Sequence, residues 1–139
     1  MQIKINQMPG VTGHIPVRAH HNDAGADIYT CDDVTIAAHS TQKIPLGFAL
    51  ELPDGYMACV YPRSGMSLMG LVCELPPIDA GYRGEVHAIV SNLTDHAITV
   101  LDNTRIGQIV VLPCVIADFV PAFGGDERGD GAFGSTGIH

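Results

Sequence analysis

The sequence predicts an all-β domain, built as a sandwich or a barrel. Short apolar runs recur along the chain, each bounded by Gly, Pro, Asn or Asp. Gly (16) and Pro (9) are abundant for 139 residues, which favours many turns over long helices. Hydrophobic residues make up 46% and charged ones 16%, so a packed core is within reach, and the length fits one domain.

Each element follows from its own pattern. Residues 3–5 alternate apolar and polar, as do 26–30 and 34–37. Residues 43–52 form a longer run, closed by the turn Pro53-Asp54-Gly55. Residues 56–61 are apolar and stop at Pro62. Only residues 64–70 look helical, for one turn or two. Residues 85–91 read as a strand, 92–96 as a polar loop and 97–101 as a strand before the turn Asp102-Asn103. Residues 106–115 are nearly all apolar and β-branched, the pattern of a strand buried on both faces. No internal repeat or low-complexity linker interrupts the chain.

The formal net charge of −8 argues against a protein that coats nucleic acid, which would show a basic footprint. If the substrate is anionic, the few arginines must converge on one site. Cys31, Cys59, Cys73 and Cys114 form no C-x-x-C pair and read as free thiols in a reducing compartment. The first ten residues lack the apolar stretch of a secretory signal. No run reaches the roughly 18 apolar residues of a membrane span. The expected location is the cytoplasm, with no membrane and no nucleic acid as partner.

Composition shifts after residue 121. Residues 122–139, AFGGDERGDGAFGSTGIH, are rich in glycine and too poor in apolar surface to order alone. They carry a guanidinium (Arg128), a stacking ring (Phe133) and two hydroxyls (Ser135, Thr136). This reads as a flexible lid that orders over a phosphorylated ligand. Residues 1–121 would be the barrel and 122–139 its lid segment.

Four internal clusters could carry chemistry. Pro62-Arg63-Ser64-Gly65 lies between a strand and a helical turn, with N–H groups, a hydroxyl and a guanidinium for an anion. The same four residues also suit a purely structural turn. Asp79 sits at a turn before Gly81, Tyr82 and Arg83; it is either a general base for water or a cap of its own turn. Asp27 enters a strand among Ala26 and Ile28; it needs a partner or a magnesium-bound water, unless it faces solvent. Gln108 interrupts an apolar strand and must hydrogen-bond something, which points it at a site. The seven histidines share no ligand spacing, so zinc is not expected.

In order along the chain, these segments resemble the five motifs of the homotrimeric dUTP pyrophosphatase (dUTPase) family. They are residues 23–29 (DAGADIY), 62–65 (PRSG), 78–85 (IDAGYRGE), 105–108 (RIGQ) and 128–137 (RGDGAFGSTG). The resemblance implies a jelly-roll-like β-barrel with a flexible Gly-rich C-terminal tail. It also implies a symmetric trimer whose three active sites each draw on all three chains. Few arginines per chain could then meet at one triphosphate.

The resemblance implies roles as well. The activity is Mg²⁺-dependent hydrolysis of dUTP to dUMP and pyrophosphate, which keeps uracil out of DNA and supplies dUMP for thymidylate. Asp79 would deprotonate the water that attacks the α-phosphorus. Tyr82 would lie against the deoxyribose and exclude a 2′-hydroxyl. Ser64 and Gly65 would contact the phosphates, with Arg63 supporting their turn, and Gln108 would bond near the α-phosphate. Asp27 would hold waters of the magnesium ion. Phe133 would stack on uracil; Arg128, Ser135 and Thr136 would grip the γ-phosphate, with Gly134 beside them on the substrate.

Three departures stand out. Residues 66–78 read MSLMGLVCELPPI, without the basic residue usual near Met69 and with a shortened hairpin. Pro76 and Pro77 offer no N–H donors, so base recognition would use different atoms. In the tail, Ala132 replaces a usual glycine. Gly107 stands where alanine is common in the family, which reads as neutral.

Two rival readings accompany this one. A dCTP deaminase shares the fold but needs a proton-shuttling glutamate where this chain has Ile89. A non-catalytic binding protein on the same fold would not need Asp79, Tyr82, Gln108 and Phe133 together. A regulatory protein partner stays open as a second role, since some members, notably phage ones, have such partners.

Overall fold

A computed structural model of the chain describes residues 1–11, 15–125 and 128–131. The chain folds as an all-β, jelly-roll-like domain. Its strands are β1 (Lys4–Gln7), β2 (Ala26–Tyr29), β3 (Val34–Ile36), β4 (Thr41–Glu51), β5 (Tyr56–Pro62), β6 (Leu71–Glu74), β7 (Glu85–Asn92), β8 (Ile98–Val100) and β9 (Arg105–Pro113), with one short helix, α1 (Ser64–Leu68). Among the described residues they form three antiparallel sheets, ordered β1-β4-β7-β6, β2-β9-β5 and β3-β8.

Strand β7 shows why the fold is all-β. Val86, Ala88, Val90 and Asn92 point inward and are buried; Glu85, His87, Ile89 and Ser91 point outward. Val86, Ala88 and Val90 join Ile28, Ile36, Ile44, Leu46, Phe48 and Leu71 in one core. Each such large side chain stabilises the fold by about 1.5–3 kcal/mol on burial. Two buried polar side chains are fully met. The Asn92 amide donates to the Ile36 and His96 carbonyls and accepts from Thr94. The Thr30 hydroxyl donates to Leu101 and accepts from the Thr104 N–H. Asn92 therefore ends β7 rather than opening the polar loop expected at 92–96.

The structure departs from the sequence reading at three further places. Residues 71–74 form a strand, β6, that the reading passed over. Their cue is Leu-Val-Cys directly after Gly70, whose φ of +93 makes the reversal out of α1. The long strand expected at 106–115 ends at Pro113, and Val115 and Ile116 are 90% and 79% exposed. Only the first part of β9 is buried on both faces: Ile106, Gly107 and Ile109 are buried, while Val110, Val111 and Leu112 are half-buried. Ile106 and Ile109 both join the core, and beyond Ile106 the side of Gln108 and Val110 opens onto a cavity.

The third departure is Gly107, which is not a neutral difference here. It pairs with Pro62 across β5 and β9, and a Cβ on it would lie 2.3 Å from the Tyr61 carbonyl oxygen. Backbone cannot yield as a side-chain tip can. Gly107→Ala is expected to cost about 1–3 kcal/mol, as overpacking does. A lowered urea midpoint at unchanged slope checks it.

All four cysteines are free; Cys59 is buried and the others half-buried. Burial, with Glu74 beside it, pushes the Cys73 thiol up, and burial does the same to Cys31. Both stay protonated thiols rather than nucleophiles. No helix among the described residues is long and apolar enough to cross a membrane.

Candidate active site

Asp79 is placed by a backbone clamp. The Ile78 N–H donates to the Ala58 carbonyl at 2.7 Å, and the Ala58 N–H returns to the Ile78 carbonyl at 3.2 Å. This bridge ties the loop to β5 just before the carboxylate. The turn that follows is self-braced. The Tyr82 N–H donates to the Asp79 carbonyl at 3.1 Å, and the Tyr82 hydroxyl to the Glu85 carbonyl at 2.8 Å. Arg83 donates to the Ala80 carbonyl.

The turn thus holds itself without the Asp79 side chain. That carboxylate is exposed and has no hydrogen-bond partner among the described residues. A turn-capping aspartate would show one, so the capping reading of the sequence fails. Asp79 instead lines a cavity of about 170 Å³ with Val60, Pro76, Pro77, Tyr82 and His87. A carboxylate free to accept a proton, beside an aromatic ring and apolar walls, suits a general base.

A second, larger cavity of about 680 Å³ gathers Asp27, Arg105, Gln108, Tyr61 and the His20–Gly25 loop. Gln108 faces Asp27 on one side and Tyr61 on the other. Its amide donates to the Pro62 carbonyl at 2.9 Å, which answers the need for a partner read from the sequence. Asp27 is not a solvent-facing strand residue: its Oδ2 meets Arg105 at 3.2 Å, with its side chain 19% exposed. The His20 backbone N–H, then its ring and charge and Arg18, hold the Asp23 carboxyl below its ordinary range against the opposing effect of burial.

The PRSG turn joins these parts. Arg63 donates to the Arg105 carbonyl at 3.1 Å, so it braces the start of β9. Ser64 and Gly65 open α1 and are exposed, and the Ser64 hydroxyl caps nothing. Arg105 lines this cavity but entered the sequence reading only as part of a motif; its cue is the ion pair that it makes with Asp27 from β9 to β2, which a linear pattern does not display. His87 was likewise missed.

Val60 lines the first cavity and Tyr61 the second. Consecutive strand residues face opposite ways, so the two cavities lie on opposite sides of β5. The cavity that holds Asp79 and Tyr82 is therefore distinct from the one that holds Asp27, Arg105 and Gln108. Arg128 is exposed and donates to the Gly131 carbonyl. Phe133, Gly134, Ser135 and Thr136 lie outside the described residues.

A free carboxylate, a ring wall and a separate patch of anion-binding donors are the equipment of a hydrolase for a small anionic molecule. The dUTPase family model matches residues 12–137. The deoxyuridine 5'-triphosphate nucleotidohydrolase of Leifsonia xyli subsp. xyli is 39% identical over 137 residues, covering 94% of this chain and 90% of that protein. The Bifidobacterium longum protein of the same name is 41% identical over 126 residues, covering 86% and 80%. A solved Staphylococcus bacteriophage 80alpha dUTPase, bound to dUpNHpp, superposes with a TM-score of 0.87 at 26% identity, covering 99% of each chain. The chain belongs to the dUTPase family.

Proposed function

We propose that the chain hydrolyses dUTP to dUMP and pyrophosphate, at a site assembled from three copies of itself. The observation that carries this reading is the unpartnered Asp79 carboxylate in a cavity walled by Tyr82. Asp79 takes a proton from water; the water oxygen bonds to the α-phosphorus. The bond from that phosphorus to the bridging oxygen breaks, and pyrophosphate leaves. The Tyr82 ring, held by its bond to the Glu85 carbonyl, packs against the deoxyribose where a 2′-hydroxyl would clash. Removing uracil nucleotide from the pool limits its entry into DNA, and dUMP serves thymidylate synthesis.

The second cavity handles charge. Ser64 and Gly65 contact the phosphates, Arg63 fixes their turn, and Gln108 donates near the α-phosphate. Phosphoryl transfer needs such positioning and neutralisation more than covalent help. Asp27 fits a water-mediated Mg²⁺ role: Arg105 engages one carboxylate oxygen, and the other has no partner among the described residues. Mg²⁺ bound with the triphosphate would neutralise phosphate charge while keeping several waters. In this reading residues 1–121 form the barrel and 122–139 the lid. Phe133 stacks on the base, worth about 1–3 kcal/mol, and Arg128, Gly134, Ser135 and Thr136 close on the phosphates.

Val115, Ile116, Phe119 and Val120 support an oligomer. They are 70–97% exposed in one chain, an apolar stretch that a second copy would cover. The test of function is pyrophosphate release from dUTP, dTTP, dCTP and UTP, with and without Mg²⁺. Release from dUTP alone, only with Mg²⁺, is expected; ammonia from dCTP would point to the deaminase instead.

A further inference from the structure

The Asp79 cavity contains a polar group that the proposed chemistry does not use. His87 stands on the outward face of β7 and lines the cavity with Asp79 and Tyr82. Its Nδ1 lies 2.8 Å from the Glu85 carbonyl oxygen. A carbonyl only accepts, so Nδ1 carries the hydrogen and the neutral ring presents Nε2 as a lone-pair acceptor. That nitrogen has no partner among the described residues.

The other polar side chains of the cavity are of the same kind. Glu74 and Asp79 are carboxylates, acceptors only when ionised, and the Tyr82 hydroxyl already donates to that same Glu85 carbonyl. Pro76 and Pro77 supply no N–H. The side chains of this cavity thus offer acceptors and no free donor, so a ring N–H set against His87 finds a partner there and a ring lone pair does not.

We infer that His87 is a base-specificity residue, its Nε2 accepting a hydrogen bond from the N3–H of uracil. This rests on the dUTP reading above. Cytosine carries a lone pair at N3 instead of a hydrogen, so two acceptors would face each other, and a site built to bond one pattern rejects the other. Thymine keeps the N3–H, so His87 does not discriminate against it. Recognition by this side chain replaces donors that the Pro76-Pro77 segment lacks.

The experiment compares kcat/KM for dUTP and dCTP in the wild type, His87→Leu and His87→Gln. Leucine removes the acceptor; the glutamine amide oxygen restores one. The leucine variant should lose about tenfold on dUTP while dCTP holds or improves, because no lone pair then faces its N3; selectivity narrows by at least that factor, and glutamine should recover most of it. A loss from mere misfolding would lower both substrates together and appear in the melting curve. Wild-type selectivity retained in His87→Leu overturns the role of His87 alone. A wild type that hydrolyses no dUTP overturns the underlying reading, and this inference with it.

Discussion

Asp79→Asn abolishes turnover and leaves nucleotide binding and stability near wild type. Asparagine keeps the shape of the side chain but cannot take a proton. Loss of a positioned general base typically costs about 10²–10⁴-fold in rate. The fold should not notice, because the carboxylate makes no hydrogen bond among the described residues and the turn is held by Tyr82, Arg83 and the Ile78–Ala58 bridge. A structural aspartate predicts the reverse, a lower melting temperature at little cost in rate. Single-turnover hydrolysis, titration with a non-hydrolysable dUTP analogue and a thermal melt separate the two. Turnover close to wild type in the variant removes Asp79 from the chemistry.

Much of this was legible in the sequence for physical reasons. Alternation such as Val86, Ala88, Val90 marks a half-buried strand directly, since side-chain period and burial coincide. The DAGADIY, PRSG, IDAGYRGE and RIGQ segments are local, so a linear reading finds them. What it could not find depends on partners far along the chain. Gly107 looks harmless until Tyr61 is placed 2.3 Å from its would-be Cβ. Arg105 acquires meaning from Asp27, 78 residues earlier. His87 reads as one more strand residue until the Glu85 carbonyl sets its tautomer. Strand β6 hid because Glu74, Leu75 and the prolines follow a short apolar run, and its pairing with β7 supplies what propensity does not.

The two faces of β5 make the second large prediction. Asp79 and Tyr82 belong to the cavity on the Val60 side, whereas Gln108 and Asp27 belong to the one on the Tyr61 side. If catalysis needs both sets, the two faces of one site come from two different chains. Asp79→Asn and a Ser64→Ala/Gln108→Ala double variant should then each be nearly inactive alone and rescue each other when co-expressed. In a closed ring every site takes its carboxylate from one copy and its phosphate-side groups from a neighbour. With equal amounts and random assembly, half the copies retain each part, so the two intact parts meet in about a quarter of sites, and about a quarter of wild-type activity returns. Sites confined to single chains give no rescue at any mixing ratio, because every chain then carries a damaged site of its own. Activity measured against the mixing ratio therefore decides the matter: a curve that peaks near equal amounts requires shared sites, and a flat line at background rules them out.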